Sequence, residues 1–83
     1  MEYVYLINTN NENHTFETME DAFYFVLDAN AKNNHFLFIA EKSASFTHLT
    51  FLSLHYHLSN YKKTKVWNEK TGQIFEIEKL KIK

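Results

Sequence analysis

Residues 43–61 read SASFTHLTFLSLHYHLSNY and carry no formally charged side chain, although 23% of the 83-residue chain is charged. Such a run is typical of a segment that is buried or covered by a partner, because a merely solvated surface normally carries charges. Apolar and polar residues alternate strictly from residue 52 to residue 59, which favours a strand over residues 46–58. A helix is the alternative, because the run is rich in Leu and contains neither Val nor Ile.

On the strand interpretation, the run presents two uncharged faces. A two-layer domain with one long helix cannot bury both of them, so one face is covered by another part of the fold or offered to a partner. One face holds Leu52, Leu54, Tyr56 and Leu58, and the other holds Thr47, Leu49, Phe51, Ser53, His55 and His57.

The first sixteen residues predict a strand, a turn and a short returning strand. Residues 3–7 (YVYLI) are apolar on both faces, as in a strand in the interior of a sheet. Residues 8–13 (NTNNEN) predict a turn, because Asn tolerates the left-handed backbone conformation. Residues 14–16 can then return as a second strand.

Residues 18–33 carry the clearest helix signal of the chain. Thr18 can cap the backbone amide of Asp21, and the acidic residues beside it suit the positive end of the helix dipole. The residues at helical spacing predict a face that is apolar except for its last member. This face consists of Met19, Ala22, Phe23, Val26, Leu27 and Asn30.

The second half of the chain adds strands. Residues 35–40 (HFLFIA) predict another interior strand, and residues 65–68 and 73–78 predict a hairpin. The only glycine, Gly72, stands at the end of its turn, where a positive φ is required. Phe75 and Ile77 share one face of the last strand while Leu80 and Ile82 fall on the other, which predicts a bulge or a strand end near residues 78–79.

Together these segments predict an α+β fold, with a small antiparallel sheet and one main helix, about 18–33, packed on one face. Eighty-three residues suit a single domain, 1–83. Without Cys, no disulfide or thiolate supports the fold, and without a signal peptide or a long apolar run we expect a cytoplasmic protein. Lys and Asn are frequent while Arg and Pro are absent, which indicates an AT-rich genome such as that of a low-GC bacterium, its phages or its plasmids.

Chemistry at a catalytic or metal site has little support in this sequence. His55 and His57 would point the same way from a strand, but a metal ion requires a third ligand such as His48, and solvated histidines explain the pair equally well. A single Gly cannot form a phosphate-binding loop, and no Cys is available as a nucleophile. We therefore expect no enzyme activity, no metal and no cofactor.

The charge distribution raises the alternative of nucleic-acid binding. Residues 1–42 carry a net charge of −5 and residues 43–83 a net charge of +4. Lysines beside aromatic residues in the C-terminal third resemble a surface that binds a single strand. Two features weigh against nucleic-acid binding. The first half of the chain is acidic, and the chain contains no Arg, the residue that forms bidentate hydrogen bonds with phosphate and guanine.

The high aromatic content favours binding of another protein, because Tyr, Trp and Phe dominate the centres of interfaces. We therefore predict a small, non-enzymatic accessory or inhibitor protein, encoded by a phage or mobile element, that binds a host protein or a second copy of itself and no membrane. The predicted contact residues are Phe51, His55, His57, Tyr61 and Trp67.

Overall fold

A computed structural model describes residues 2–40 and 46–82 of the chain. They form a six-stranded antiparallel sheet with two α-helices and one short 3-10 helix. In chain order the elements are β1 (Glu2–Thr9), β2 (Glu12–Phe16), α1 (Met19–Ala29), the 3-10 helix (Asn34–Phe36), β3 (Leu37–Ala40), β4 (Phe46–His48), α2 (Phe51–Asn60), β5 (Lys63–Asn68) and β6 (Ile74–Ile82).

The first hairpin forms as the sequence predicts. Asn10 and Asn11 join β1 to β2 with φ of 51° and 63°, so both turn residues adopt the left-handed conformation. Two-residue hairpin turns favour this geometry because it matches the twist of the strands, and Asn accepts it at lower cost than most residues. The side-chain amide of Asn8 also donates a 2.9 Å hydrogen bond to Oδ1 of Asn13 across the hairpin.

Helix α1 begins at the predicted residue and ends earlier than predicted. The Thr18 hydroxyl accepts a 3.1 Å hydrogen bond from the Asp21 amide, which confirms the cap. The helix ends at Ala29 rather than near residue 33. Asn30 ends it, because its side-chain amide donates to the Val26 carbonyl at 2.7 Å and local hydrogen bonds of this kind compete with helix continuation.

The strand prediction for residues 46–58 is wrong over most of its length. Only Phe46–His48 pair as a strand, β4, and residues 51–60 form helix α2; residues 43–45 of the uncharged run lie outside the described residues. Thr50 and Ser53 form a reciprocal capping box, with hydrogen bonds of 3.0 Å and 2.9 Å. Helix α2 contains no β-branched residue, and its buried residues Leu54, His57 and Leu58 recur at helical spacing.

The second hairpin is confirmed, but the predicted bulge is not. Gly72 ends its turn with φ of +80°, as the sequence requires. Strand β6 then continues to Ile82 in one unbroken register against β1, from the pair Asn8 and Glu76 to the pair Glu2 and Ile82. Strand β6 is therefore apolar on one face near its start and on the other near its end, without any bulge.

The sheet order is β2-β1-β6-β5-β3-β4, with α1 over β1 and β2 and α2 over β5 on the same face. The α+β fold class is thus confirmed, with two helices of similar length instead of one main helix. No described helix is long and apolar enough to cross a membrane. The core between the helices and the sheet consists of Ile7, Met19, Ala22, Phe23, Val26, Leu37, Ile39, Leu54, Leu58, Val66, Phe75 and Ile77.

Candidate functional site

The solvent side of α2 is an exposed surface without charge. Leu52 is 79% exposed and Tyr56, one turn further along the same helix, is 59% exposed. His55 is also exposed between them, and Phe51–Asn60 contain no charged residue. We call Leu52, His55 and Tyr56 the α2 patch. Contact of the Leu52 and Tyr56 side chains with water is unfavourable, so their exposure leaves an uncovered apolar surface on this side of α2.

The solvent side of α1 provides a comparison within the same molecule. It exposes Glu20, Asp21 and Asp28 together with Tyr24, which is 55% exposed. That arrangement is the ordinary one for a surface helix, whose outward side is polar and charged. The two helices lie on the same face of the sheet, so the lack of charge is specific to α2.

Two of the predicted contact residues support α2 from within the fold. Phe51 is half-buried, and its ring meets Phe23 edge-on with the centroids 5.6 Å apart. His57 is only 3% exposed, and its Nδ1–H donates a 2.7 Å hydrogen bond to the Ser53 carbonyl. The structure therefore places His57 in the core and leaves Phe51 partly exposed, and the prediction that they contact a partner stays a prediction.

The helix also separates the predicted histidines. Residues two apart point the same way on a strand but to nearly opposite sides of a helix, so His55 is exposed where His57 is buried. His48 lies elsewhere, on β4, with its ring centroid 4.5 Å from that of Phe38. Within residues 2–40 and 46–82, no three His, Asp or Glu side chains are placed to hold a metal ion.

Tyr61 and Trp67, the other two predicted contact residues, lie apart from the α2 patch. The Tyr61 amide donates to the His57 carbonyl at 2.7 Å, and the Tyr61 ring, half-buried, approaches the buried imidazole. Trp67 lies on β5, on the face of the sheet that the helices do not cover. The sequence prediction therefore combined residues from separate parts of the molecule.

Trp67 belongs to a row of side chains that crosses the uncovered face. The strand pairings place Ile74, Trp67, Phe38 and His48 side by side, and we call these four residues the aromatic row. The rings of Trp67 and Phe38 are stacked, with centroids 6.1 Å apart and an interplanar angle of 28°. Both side chains are half-buried, whereas Ile74 at the end of the row is 50% exposed.

The lysines of the C-terminal third do not form one basic surface. The Nζ atom of Lys65 lies 4.0 Å from Oε2 of Glu76, its neighbour across the strands. Lys63 pairs in register with Glu78. These alternating charges lie next to the aromatic row on the uncovered face and leave that region close to neutral. The ammonium group of Lys79 lies on the opposite face, 4.2 Å from the centre of the Tyr3 ring.

Two clefts among the described residues lie around the paired ends of β1 and β6. One, of about 610 Å³, is bordered by Tyr3, Tyr5 and Met19 beside the start of α1. Burial, and to a smaller degree the nearby Tyr3 phenol, raises the pKa of Tyr5. The protonated phenol can donate a hydrogen bond to a group in this cleft.

The predicted contact residues of this segment were Phe51, His55 and His57, and they did not include Leu52 and Tyr56, which the structure exposes. A signal for Leu52 and Tyr56 was present: on a helix, these two residues and His55 share the side opposite Leu54 and Leu58. The strand interpretation had placed Tyr56 with Leu54 and Leu58 on a single apolar face. Whether Leu52 and Tyr56 are exposed depends on whether the segment is a strand or a helix, because side chains alternate along a strand but repeat about every 3.6 residues along a helix.

No protein-family model matches this chain, and no curated protein or solved structure is significantly similar to it.

Proposed function

We propose that this chain is a small, non-enzymatic accessory or inhibitor protein that binds another protein through the α2 patch. The observation that carries the proposal is the side chain of Leu52, 79% exposed beside Tyr56 on a helix without charge. The AT-rich composition supports encoding by a phage or another mobile element. The proposed partner is a protein of the host cell.

The α2 patch has the chemistry that interfaces concentrate near their centres. Tyrosine is enriched among the residues that carry most of the binding energy, and charged residues are depleted at interface cores. Leu52 and Tyr56 stand one turn apart on a helix with a capped N-terminus and a buried side formed by Leu54 and Leu58. A rigid helix loses little conformational entropy on binding, which favours affinity.

The chemistry of the patch also limits what the partner presents. A matching surface would be apolar and uncharged at its centre, because a charge facing Leu52 would lose its hydration without a compensating ion pair. The patch alone is too small for a stable complex, since specific interfaces bury about 800 Å² on each partner. Neighbouring polar residues of α2, such as Ser59 and Asn60, would form the rim.

Nucleic-acid binding through the C-terminal lysines is the weaker alternative. Single strands are bound by a continuous positive groove lined with aromatic rings. Here the lysines next to Trp67 face glutamates across the strands, and Lys79 lies on the other side of the sheet. A labelled oligonucleotide provides the test, because electrostatic binding weakens steeply between roughly 50 and 200 mM salt whereas an apolar interface persists.

Matched variants test the proposal directly. Leu52→Lys and Tyr56→Lys introduce a charge on the exposed side of α2, and Tyr24→Lys introduces the same charge on α1 at a tyrosine of similar exposure. Lysine is a good helix former, so all three variants should keep the parent's circular dichroism spectrum. Each tagged protein is used to capture partners from extracts of the native host, which are quantified by mass spectrometry.

The expected result is a protein that the parent and Tyr24→Lys capture equally and that the two α2 variants fail to capture. With that protein purified, titration calorimetry should show at least a tenfold loss of affinity for Leu52→Lys. Equal capture by all four proteins would reject the α2 patch as the binding surface. Sedimentation of the parent alone shows whether the partner is a second copy of the chain.

A further inference from the structure

The last residues of β6 extend beyond the strand that lies beside it. Strand β5 pairs with β6 only from Ile74 to Glu78, and one further bond joins the Lys79 amide to the Lys62 carbonyl at 2.9 Å. Beyond that point the chain turns away into α2, while β6 continues to Ile82 alongside β1. No strand in the described part of the chain lies beside Leu80–Ile82 on this side.

The hydrogen-bonding pattern shows which backbone groups face this free edge. The Gln73 carbonyl accepts from the Asn68 amide, and the Lys79 amide donates to Lys62, so odd-numbered residues of β6 direct their backbone groups towards β5. Even-numbered residues direct theirs towards β1. The backbone N–H and C=O of Lys81 therefore point outward at the edge, where an added strand would find a donor and an acceptor.

A cleft occupies the position that the added strand would take. It has a volume of about 350 Å³ and lies between the free edge of β6 and the end of α2, in line with β5. The residues that border it carry three positive charges and one negative charge, and they are Tyr3, Leu58, Ser59, Lys62, Glu78, Lys79, Leu80 and Lys81. The edge is thus accessible, with a recess beside it.

We infer that the edge Lys79–Ile82 accepts an extended acidic segment of another protein as an additional strand of the sheet. In strand addition the backbone supplies affinity, and alternate side chains supply selectivity. Leu80 and Ile82, 38% and 41% exposed on the uncovered face, favour apolar residues on one side of the segment. Lys81, on the other face, and Lys62 favour acidic residues at the alternating positions.

A second copy of the chain is a poor occupant of this edge. When two β6 edges pair in antiparallel register, the face that carries Lys79 and Lys81 sets lysine opposite lysine. Like charges directly opposite each other destabilise a strand pair, and lysine at an edge is a common protection against such pairing. The charges of this edge therefore select a partner of the opposite sign.

This site shares Ser59 with the rim proposed around the α2 patch but none of Leu52, His55 and Tyr56, so either proposal can fail without the other. The probe is a fluorescent peptide with the sequence Glu-Val-Glu-Val-Glu, blocked at both ends, and the control peptide carries Lys in place of each Glu. Binding is measured by fluorescence anisotropy on the parent, Lys81→Pro, Lys81→Glu and Lys32→Glu. Lys32 is exposed and lies outside the sheet, so its reversal controls for net charge.

Lys81→Pro is the most direct test of the backbone contact. It removes the outward N–H but no hydrogen bond of the β1–β6 ladder, because the amide of residue 81 does not face β1. We expect at least tenfold weaker binding for both Lys81 variants, unchanged binding for Lys32→Glu, and no measurable binding of the lysine peptide. In the parent, the acidic peptide should slow hydrogen exchange of the Lys81 amide.

Several results would overturn the inference. They are the absence of binding to the parent, equal binding of the two peptides, and binding by Lys81→Pro that matches the parent. If circular dichroism shows that Lys81→Pro is unfolded, Lys81→Glu decides between the outcomes. A dimer of the parent that Lys81→Pro abolishes, without peptide binding, would assign the edge to a second copy instead.

Discussion

The side-chain amide of Asn68 donates a hydrogen bond of 2.8 Å to Oδ1 of Asn30, and both side chains are buried. This contact joins β5 to the end of α1. The side-chain amide of Asn30 donates a hydrogen bond to the Val26 carbonyl. Oδ1 of Asn68 accepts hydrogen bonds from the backbone amides of Lys70 and Thr71 at 2.9 and 3.1 Å. One polar pair thus satisfies the helix end and the hairpin turn together.

We expect Asn68→Ala to lower the free energy of unfolding by about 2–3 kcal/mol, because it leaves Asn30 and two turn amides without their partner. Urea denaturation measures the change, and exposed Asn34→Ala is the control, with an expected effect below about 0.5 kcal/mol. The double variant with Asn30→Ala should cost less than the sum of the single ones. Strict additivity would contradict the coupling.

Phe23 and Tyr24 form a matched pair for the helix packing. Phe23 is buried against Phe51, whereas Tyr24 faces solvent. Phe23→Ala should cost about 3–5 kcal/mol by leaving a cavity between the helices, and Tyr24→Ala less than about 0.5 kcal/mol. Equal urea midpoints for the two variants would show that α1 presents a different side to the core.

Substitutions of Gly72 measure the free-energy cost of a positive φ alone. A Cβ at Gly72 would meet no atom within 4 Å, so a substitution is strained by its φ of +80° alone. We expect Gly72→Ala to cost about 1–2 kcal/mol, with Asn less harmful and Val more. The ranking Asn, Ala, Val in thermal melts checks this prediction, and three identical melting temperatures would refute it.

His55 and His57 test the helical assignment of the uncharged run. Glu in place of buried His57 places a charge in the core without a counter-charge and should cost several kcal/mol, which unfolds most of the protein. Glu in place of exposed His55 should leave the stability nearly unchanged. On a strand the two variants would behave alike, so near-equal urea midpoints would favour a strand.

The raised pKa of Tyr5 predicts a dependence on alkaline pH. Burial, with a smaller contribution from Tyr3, favours the protonated phenol in the folded state. The contribution of Tyr5 to stability is therefore complete below the unfolded-state pKa of about 10 and is lost as the pH rises through the higher folded-state pKa. Tyr5→Phe should remove, from an absorbance titration of tyrosinate, a phenol that ionises above its ordinary pKa. An unchanged titration would contradict the assignment.

The success of the sequence predictions followed the strength of local signals. The Asn-rich turn, the Thr18 cap and Gly72 each require a specific backbone conformation, and each was predicted correctly. The segment 51–60 was not, because alternating Leu and His fit a strand while the same residues also recur at helical spacing. Its capping box places Ser53 where Glu or Gln is the usual signal, so the helix start was hard to recognise.

The candidate site was predictable only in part, for a related reason. Absence of charge in residues 43–61 indicated the segment, but the exposed side chains depend on the helical period and on the position of the sheet beneath. Leu80 and Ile82 led to the wrong prediction of a bulge. They lie on the second face of β6, and apolar residues there suggested that the strand changes face. In the structure that face is uncovered, and no local sequence pattern indicates which face of a sheet stays uncovered.

The position of β6 between β1 and β5 has a consequence for folding during synthesis. The two strands β2-β1 and the three strands β5-β3-β4 belong to one sheet only through β6, which is the last strand in the described part of the chain. Until residues 74–82 have left the ribosome, the nascent chain therefore exposes two incomplete sheet edges, with Ile7 and Val66 uncovered. We expect the complete sheet to form only after this strand is available, and the unpaired edges of the growing chain to favour aggregation or chaperone binding until then.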